Sequence, residues 1–231
     1  MEESKLFKNI WRFNSIIIAV VGILAVIVLV FAIYMIYKET NRNRYRHEIV
    51  NIDSQTNIEE NFRLGNVEYV KGSQSVIVPL YSVQNFSLKY SGSKSTTSTR
   101  NLLFSNMHSE TNKWLLPTND FLIASHRLIN ESNCYDTDKD IVTILYQIVK
   151  NDTNNDSRLT DNDKLTVAFS DPTGNNYTEV INNIDSVLGY DVLDKKAIAI
   201  MFNRDGQGYT VYIDLSNFAV KKEIALPKLK L

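Results

Sequence analysis

Between Arg12 and Lys38 the chain carries no charged residue. Within that stretch Ile16 to Tyr37 is almost wholly apolar. At about 1.5 Å per residue, a helix of that length spans roughly 33 Å, enough for a hydrocarbon core of about 30 Å. Trp11 and Phe13 stand at one end, and Tyr34 and Tyr37 at the other, as an aromatic belt requires. A buried core helix would need polar residues on an outer face, and this segment has none. A cleaved signal peptide has a shorter apolar region and a small-residue cleavage site, whereas the flank here reads Phe31-Ala32-Ile33-Tyr34-Met35. The expectation is a short N-terminal cytoplasmic segment (1–14) and one uncleaved transmembrane helix (15–37). Lys5, Lys8 and Arg12 on one side balance Lys38, Arg42, Arg44 and Arg46 on the other, so flanking charge does not set the orientation. Gly22 is the lone glycine of the span, so no GxxxG face exists, although Ala19, Gly22 and Ala25 are small residues at three-residue spacing.

Beyond the span, composition excludes more than it assigns. Lys+Arg (25) nearly cancels Asp+Glu (26) for a net charge of -1, which speaks against a nucleic-acid partner. One cysteine, Cys134, rules out an internal disulfide and a Cys-rich zinc site. His47, His108 and His126 are scattered, and no P-loop, GxGxxG or GxSxG occurs. Ser125-His126 has no spacing that supports a catalytic triad. Residues 38–64 are polar and charged, and read as a juxtamembrane linker whose basic start could touch anionic headgroups.

From 65 to 231 short apolar runs alternate with turn residues. Val76 to Leu80, Asn101 to Phe104, Phe121 to Ala124, Ile141 to Val149, Leu165 to Phe169, Ala197 to Phe202 and Tyr209 to Leu215 are rich in β-branched and aromatic residues. Asp171-Pro172-Thr173-Gly174-Asn175-Asn176 is turn chemistry, and Asp205-Gly206 reads as the tip of a hairpin. Trp114 and Tyr146 read as core residues. No long 3.6-residue period lies past the span, so the fold class is mainly β: a transmembrane helix followed by an antiparallel, propeller-like or open-sheet domain. The Asn101–Ser105, Trp114–Pro117 and Tyr209–Leu215 segments resemble blade strands of TolB-like and WD40-like β-propellers. At roughly 40 to 45 residues per blade, that resemblance implies about four blades, or a partial array completed by a partner.

One segment points to chemistry. Asp152-Thr153-Asn154-Asn155-Asp156-Ser157-Arg158-Leu159-Thr160-Asp161-Asn162-Asp163 places oxygen-bearing side chains at positions 1, 3, 5, 9 and 12 of a twelve-residue loop. It resembles the calcium loop of EF-hands, and more closely the dockerin-type variant. The resemblance implies Ca²⁺ held by Asp152, Asn154, Asp156, the Arg158 carbonyl, Thr160 and Asp163, with Leu159 as the apolar eighth residue. Ser157 departs from the usual glycine at position 6, where φ > 0 is required. The flanks read as strands rather than helices, so the resemblance covers the loop alone. An Asn/Asp-rich hairpin loop without metal is the alternative. Asp136, Asp138 and Asp140 alternate nearby, as a solvated strand start or a further ligand. A bound cation would be structural, and weak extracellular-type affinity would suit a domain outside the cytoplasm.

The expected function is a non-enzymatic accessory or scaffolding subunit of a membrane protein complex. It would sit in a bacterial inner membrane, with lipid around its span and the β domain in the periplasm. The alternative is an envelope enzyme acting on glycan or peptide through the acidic 136–163 region.

Overall fold

A computed structural model describes residues 5–40, 50–52, 59–87, 93–106, 108–131, 139–193 and 196–228. The chain divides into two compact units, 1–46 and 47–231. Mainly β structure follows one N-terminal apolar helix, and each strand pairing described is antiparallel.

The helix α1 (Lys5–Thr40) runs well past both ends of the apolar stretch. Its uncharged window, Asn14–Tyr34, has 21 residues, and none of that window is buried against protein. The polar Ser15 near its start returns its hydroxyl to the Trp11 carbonyl at 2.9 Å, so it brings no unsatisfied donor into the apolar stretch.

The second unit begins earlier than the sequence reading placed it. Val50–Asn51 (β1) and Glu59–Leu64 (β2) are strands of this unit and not linker. Val50 is fully buried although the 38–64 stretch that contains it is mostly polar and charged, so an apolar residue of that stretch joins the core. Three sheets of four or more strands follow. The first has the order β2, β4 (Ser75–Ser87), β5 (Ser93–Asn106), β6 (Thr111–Trp114), with β3 (Glu68–Tyr69) also paired to β4. The second has the order β11 (Thr178–Ile184), β10 (Leu165–Ser170), β8 (Ile141–Val149), β7 (Leu122–Asn130). The third is a plain meander of β12 (Ser186–Leu193), β13 (Ala197–Arg204), β14 (Gln207–Asp214) and β15 (Val220–Ala225). Against an expectation of about four blades, the described residues form three such sheets. Part of the reason is that β4 and β5 are 13 and 14 residues long, so one pair absorbs the chain length of a further hairpin.

The inner strands of the second sheet, β8 and β10, are covered on both faces. Leu145 and Val149 pack with Ile198, Ile200, Phe202, Val211 and Ile213 of the third sheet. Their neighbours Ile144, Tyr146 and Ile148 pack with Ile77, Leu102 and Phe104 of the first. Strand side chains alternate between faces, so a strand covered on both is mostly apolar, and its buried polar side chains are bonded internally, as Thr143 and Tyr146 are to Ser170. That is why β8 reads Ile-Val-Thr-Ile-Leu-Tyr-Gln-Ile-Val, and why all six residues of β10 are buried. Strand β13 of the third sheet instead alternates buried Ile198, Ile200 and Phe202 with less buried Ala197, Ala199 and Met201. Its hairpin to β14 closes through Asp205 (φ 50°) and Gly206 (φ 73°), the paired left-handed residues of a type I′ turn. Tyr146 is fully buried, as read from sequence. Trp114 is 41% exposed and so is not a core residue, because β6 is an edge strand exposed along its whole length.

Candidate functional site

The loop after β8 curls as its sequence demands over its first half. The two Asp152 carboxylate oxygens accept the backbone N–H groups of Asp156 (3.2 Å) and Ser157 (2.8 Å). Asn154 Oδ1 accepts the Asp156 N–H at 3.0 Å, and Asp156 Oδ1 accepts the Arg158 N–H at 3.0 Å. Asn155 (φ 59°) and Ser157 (φ 61°) take the left-handed conformation that such a curl needs. Arg158 and Leu159 then form β9, paired with Asn51 and Val50 of β1. The Ser157 carbonyl accepts the Ile52 N–H at 2.9 Å. Leu159, the expected apolar eighth residue, is 2% exposed and sits in the core beside Val50.

The second half departs from the calcium template. Asp163 is 1% exposed and turned inward. Its Oδ1 accepts the Thr153 N–H (2.7 Å), the Thr153 hydroxyl (3.1 Å) and the Asn154 N–H (3.3 Å). Its Oδ2 accepts the Thr160 N–H at 2.9 Å, with the Thr160 hydroxyl at 3.5 Å. A carboxylate oxygen has about two lone-pair directions, so this group is saturated by donors. Thr160, 6% exposed, faces the same way. Asp152, Asn154, Asp156 and Arg158 remain on the outer side, short of the six to eight oxygens that Ca²⁺ takes. Among the described residues no three His, Cys, Asp or Glu side chains gather into a metal set. As folded, Asp163 serves as a hydrogen-bonded clasp, and the described residues do not gather the oxygen set of a calcium loop. Asp140 is an exposed residue at the start of the preceding strand, and Asp136, Asp138 and Cys134 lie outside the described residues.

The loop's exit is tied to the third sheet. Lys164 Nζ lies 2.6 Å from Asp185 Oδ1 and 2.7 Å from Asp205 Oδ1. The hydrogen bonds to Asp185 and then Asp205 raise the Lys164 pKa above its ordinary value, and the same contact holds Asp185 below the usual carboxylate range.

Two polar clusters escaped the sequence reading. His126 on β7 meets Glu68 on β3 at 2.7 Å, and this hydrogen bond lowers the Glu68 pKa. In the first sheet Glu60 Oε1 accepts the Ser82 hydroxyl at 2.5 Å and the Gln84 amide at 3.4 Å. The Arg100 Nε stands 3.6 Å from the same oxygen. Arg100 is the extra residue of a β-bulge on β5, and its Nε and Nη1 are buried with no hydrogen-bond acceptor. Desolvation lowers its pKa, against the opposing fields of Glu60 and Asp120. The available sequence signal was a charge inside a Ser/Thr-rich strand, which looks the same as a solvated one.

No family model and no curated protein matches the chain. Among solved structures, 72% of the chain is similar to the β-propeller domain of the Trilobed protease from Pyrococcus furiosus, described as having an open velcro topology. The identity is 12% and the TM-score 0.37, and the chain spans about 43% of that structure's length. At that level the likeness carries nothing about activity.

Proposed function

We propose that this chain is a single-pass membrane protein that works by binding, as an accessory or scaffolding subunit of a membrane protein complex. In this reading the β unit stands on the periplasmic side of a bacterial inner membrane. The observation that carries it is the 21-residue uncharged window of α1, of which none is buried by protein. Each Val, Leu, Ile or Phe side chain gains about 1.5–3 kcal/mol on leaving water, so a run of them has no stable home in solvent. Exposed apolar side chains on the β unit support a docking role. Phe62, Leu64, Val67 and Tyr69 stand out along β2 and β3, and Leu188, Met201 and Ile224 along the third sheet. Asp152, Asp156 and Asp163 of the loop are engaged with main-chain amides, so our reading gives them no reaction.

The test is extraction with topology mapping. The protein should stay in the membrane pellet through alkaline carbonate. A Thr118→Cys variant should react with an impermeant maleimide in intact spheroplasts. Crosslinking in cells followed by gentle detergent extraction should recover a stoichiometric partner. Release by carbonate would end the anchor reading, and recovery as a solitary monomer would end the subunit reading.

A further inference from the structure

The Asp171–Asn176 turn between β10 and β11 folds against the end of the first sheet and encloses a cleft of about 250 Å³. Ser75, Phe104, Asn106, Lys113, Thr173 and Asn175 line it. The turn brings its backbone close because Gly174 (φ 78°) lies directly on the Phe104 ring, where a Cβ would collide.

The hydrogen-bonding character of this cleft is one-sided. The Lys113 ammonium donates to Asn175 Oδ1 at 3.1 Å and to the Gly174 carbonyl at 3.5 Å, both neutral acceptors. Among the described residues no carboxylate pairs with it. The nearby acid, Asp171, is bonded within its own turn rather than to Lys113. Its Oδ1 takes the Thr173 N–H and hydroxyl and the Asn175 N–H, and its Oδ2 takes the Asn176 amide. Asn106 Oδ1 caps the His108 and Ser109 N–H groups, which leaves its amide nitrogen without a partner among the described residues. Ser75 is only 4% exposed, and its hydroxyl too has no partner among the described residues. Three groups able to donate, one of them cationic, thus line the space, while the side-chain amide oxygens of Asn106 and Asn175 are already taken; the Ser75 and Thr111 hydroxyls can donate or accept. Phe104 gives the cleft one apolar wall.

We propose that this cleft binds a small organic oxyanion, a sugar acid or a phosphorylated metabolite. The anionic group would sit at Lys113, Ser75 and Asn106, and its carbon frame against Phe104. The exposed Lys113 ammonium beside the buried Ser75 hydroxyl favours an anion through charge-assisted hydrogen bonds. The volume is at the small end of ligand sites, which run from roughly 300 to 1,000 Å³.

The experiment is a ¹H–¹⁵N chemical-shift titration of the full chain in detergent at fixed ionic strength, following the Lys113 and Gly174 amides. The probes are D-glucuronate, inorganic phosphate and, as the neutral control, D-glucose. We expect saturable shifts with an anion and none with glucose. A response to glucuronate alone assigns the carboxylate source, and a response to phosphate alone the phosphate source. Lys113→Gln should weaken binding about tenfold with unchanged melting. Ser75→Ala should weaken it by a smaller factor, and it replaces the first variant should that one not fold. The proposal is overturned by no saturable shift with either anion, by an equal response to glucose, or by full affinity in both variants.

Discussion

Replacing Asp163 by asparagine removes one of the two acceptor oxygens that hold the 152–163 loop shut. Whichever way the new amide turns, its NH₂ faces donors. With the oxygen kept toward Thr153, the Thr160 N–H, now 2.9 Å from Oδ2, meets another donor in a site that is 1% exposed. An orphaned buried donor costs about 1–3 kcal/mol, and the bonds that survive lose their charge assistance, so the total is about 2–4 kcal/mol. A unit of this size shifts by about 2–4 °C per kcal/mol, so the midpoint should fall by about 4–16 °C. Asp152→Asn, on the outer side of the loop, keeps its shape and should cost under about 1 kcal/mol. The assay is thermal denaturation of the full chain in detergent, followed by far-ultraviolet circular dichroism, in EDTA and in millimolar calcium. The clasp reading expects the same melting point in both media. A cation at 100 times its dissociation constant would add about 2.7 kcal/mol. The reasoning is refuted if calcium raises the midpoint by several degrees, or if Asp163→Asn melts with the native protein.

Acid should weaken the β unit. Glu68 is held below its ordinary value of 4.5 by its bond to His126, so its contribution is complete above that pH and drains as pH falls through the lowered value. A melting series below about pH 4.5 should show this limb, and Glu68→Gln should flatten it. Leu145→Ala, at a fully buried position in the doubly covered strand, should cost about 2–5 kcal/mol in urea unfolding. Gly206→Ala puts a side chain at φ 73° in the β13–β14 hairpin and should cost about 1–2 kcal/mol by the same measurement, with strand pairing retained.

What could be read in advance follows from where each residue is buried. The strands β8, β10 and β13 announce themselves, because burial on two faces or one leaves a predominantly apolar or an alternating pattern. Asp205-Gly206 announces its turn by needing two left-handed residues. The polar halves of β4 and β5, and the strand Thr178–Ile184 with its Asn182-Asn183, are held by pairing with neighbours. No local pattern records that pairing. Val50 was lost in a charged stretch for the same reason: its partner, Leu159, is over a hundred residues away. In the loop, the curl at Asp152, Asn154, Asp156 and Ser157 was legible because its bonds run to near neighbours. The inward turn of Asp163 was not, because it depends on burial and on which donors Thr153 and Thr160 supply. The Lys113 cleft was hidden altogether, since it joins a hairpin end to a turn some sixty residues later.

The middle sheet has a thermodynamic consequence of its own. The amides of its two inner strands, β8 and β10, cannot meet solvent unless a flanking layer detaches, and either detachment would strip a continuous apolar surface. Local fraying at the two outer sheets should therefore leave β8 and β10 untouched. Their amide protons should exchange with deuterium last and together, at the rate of global opening.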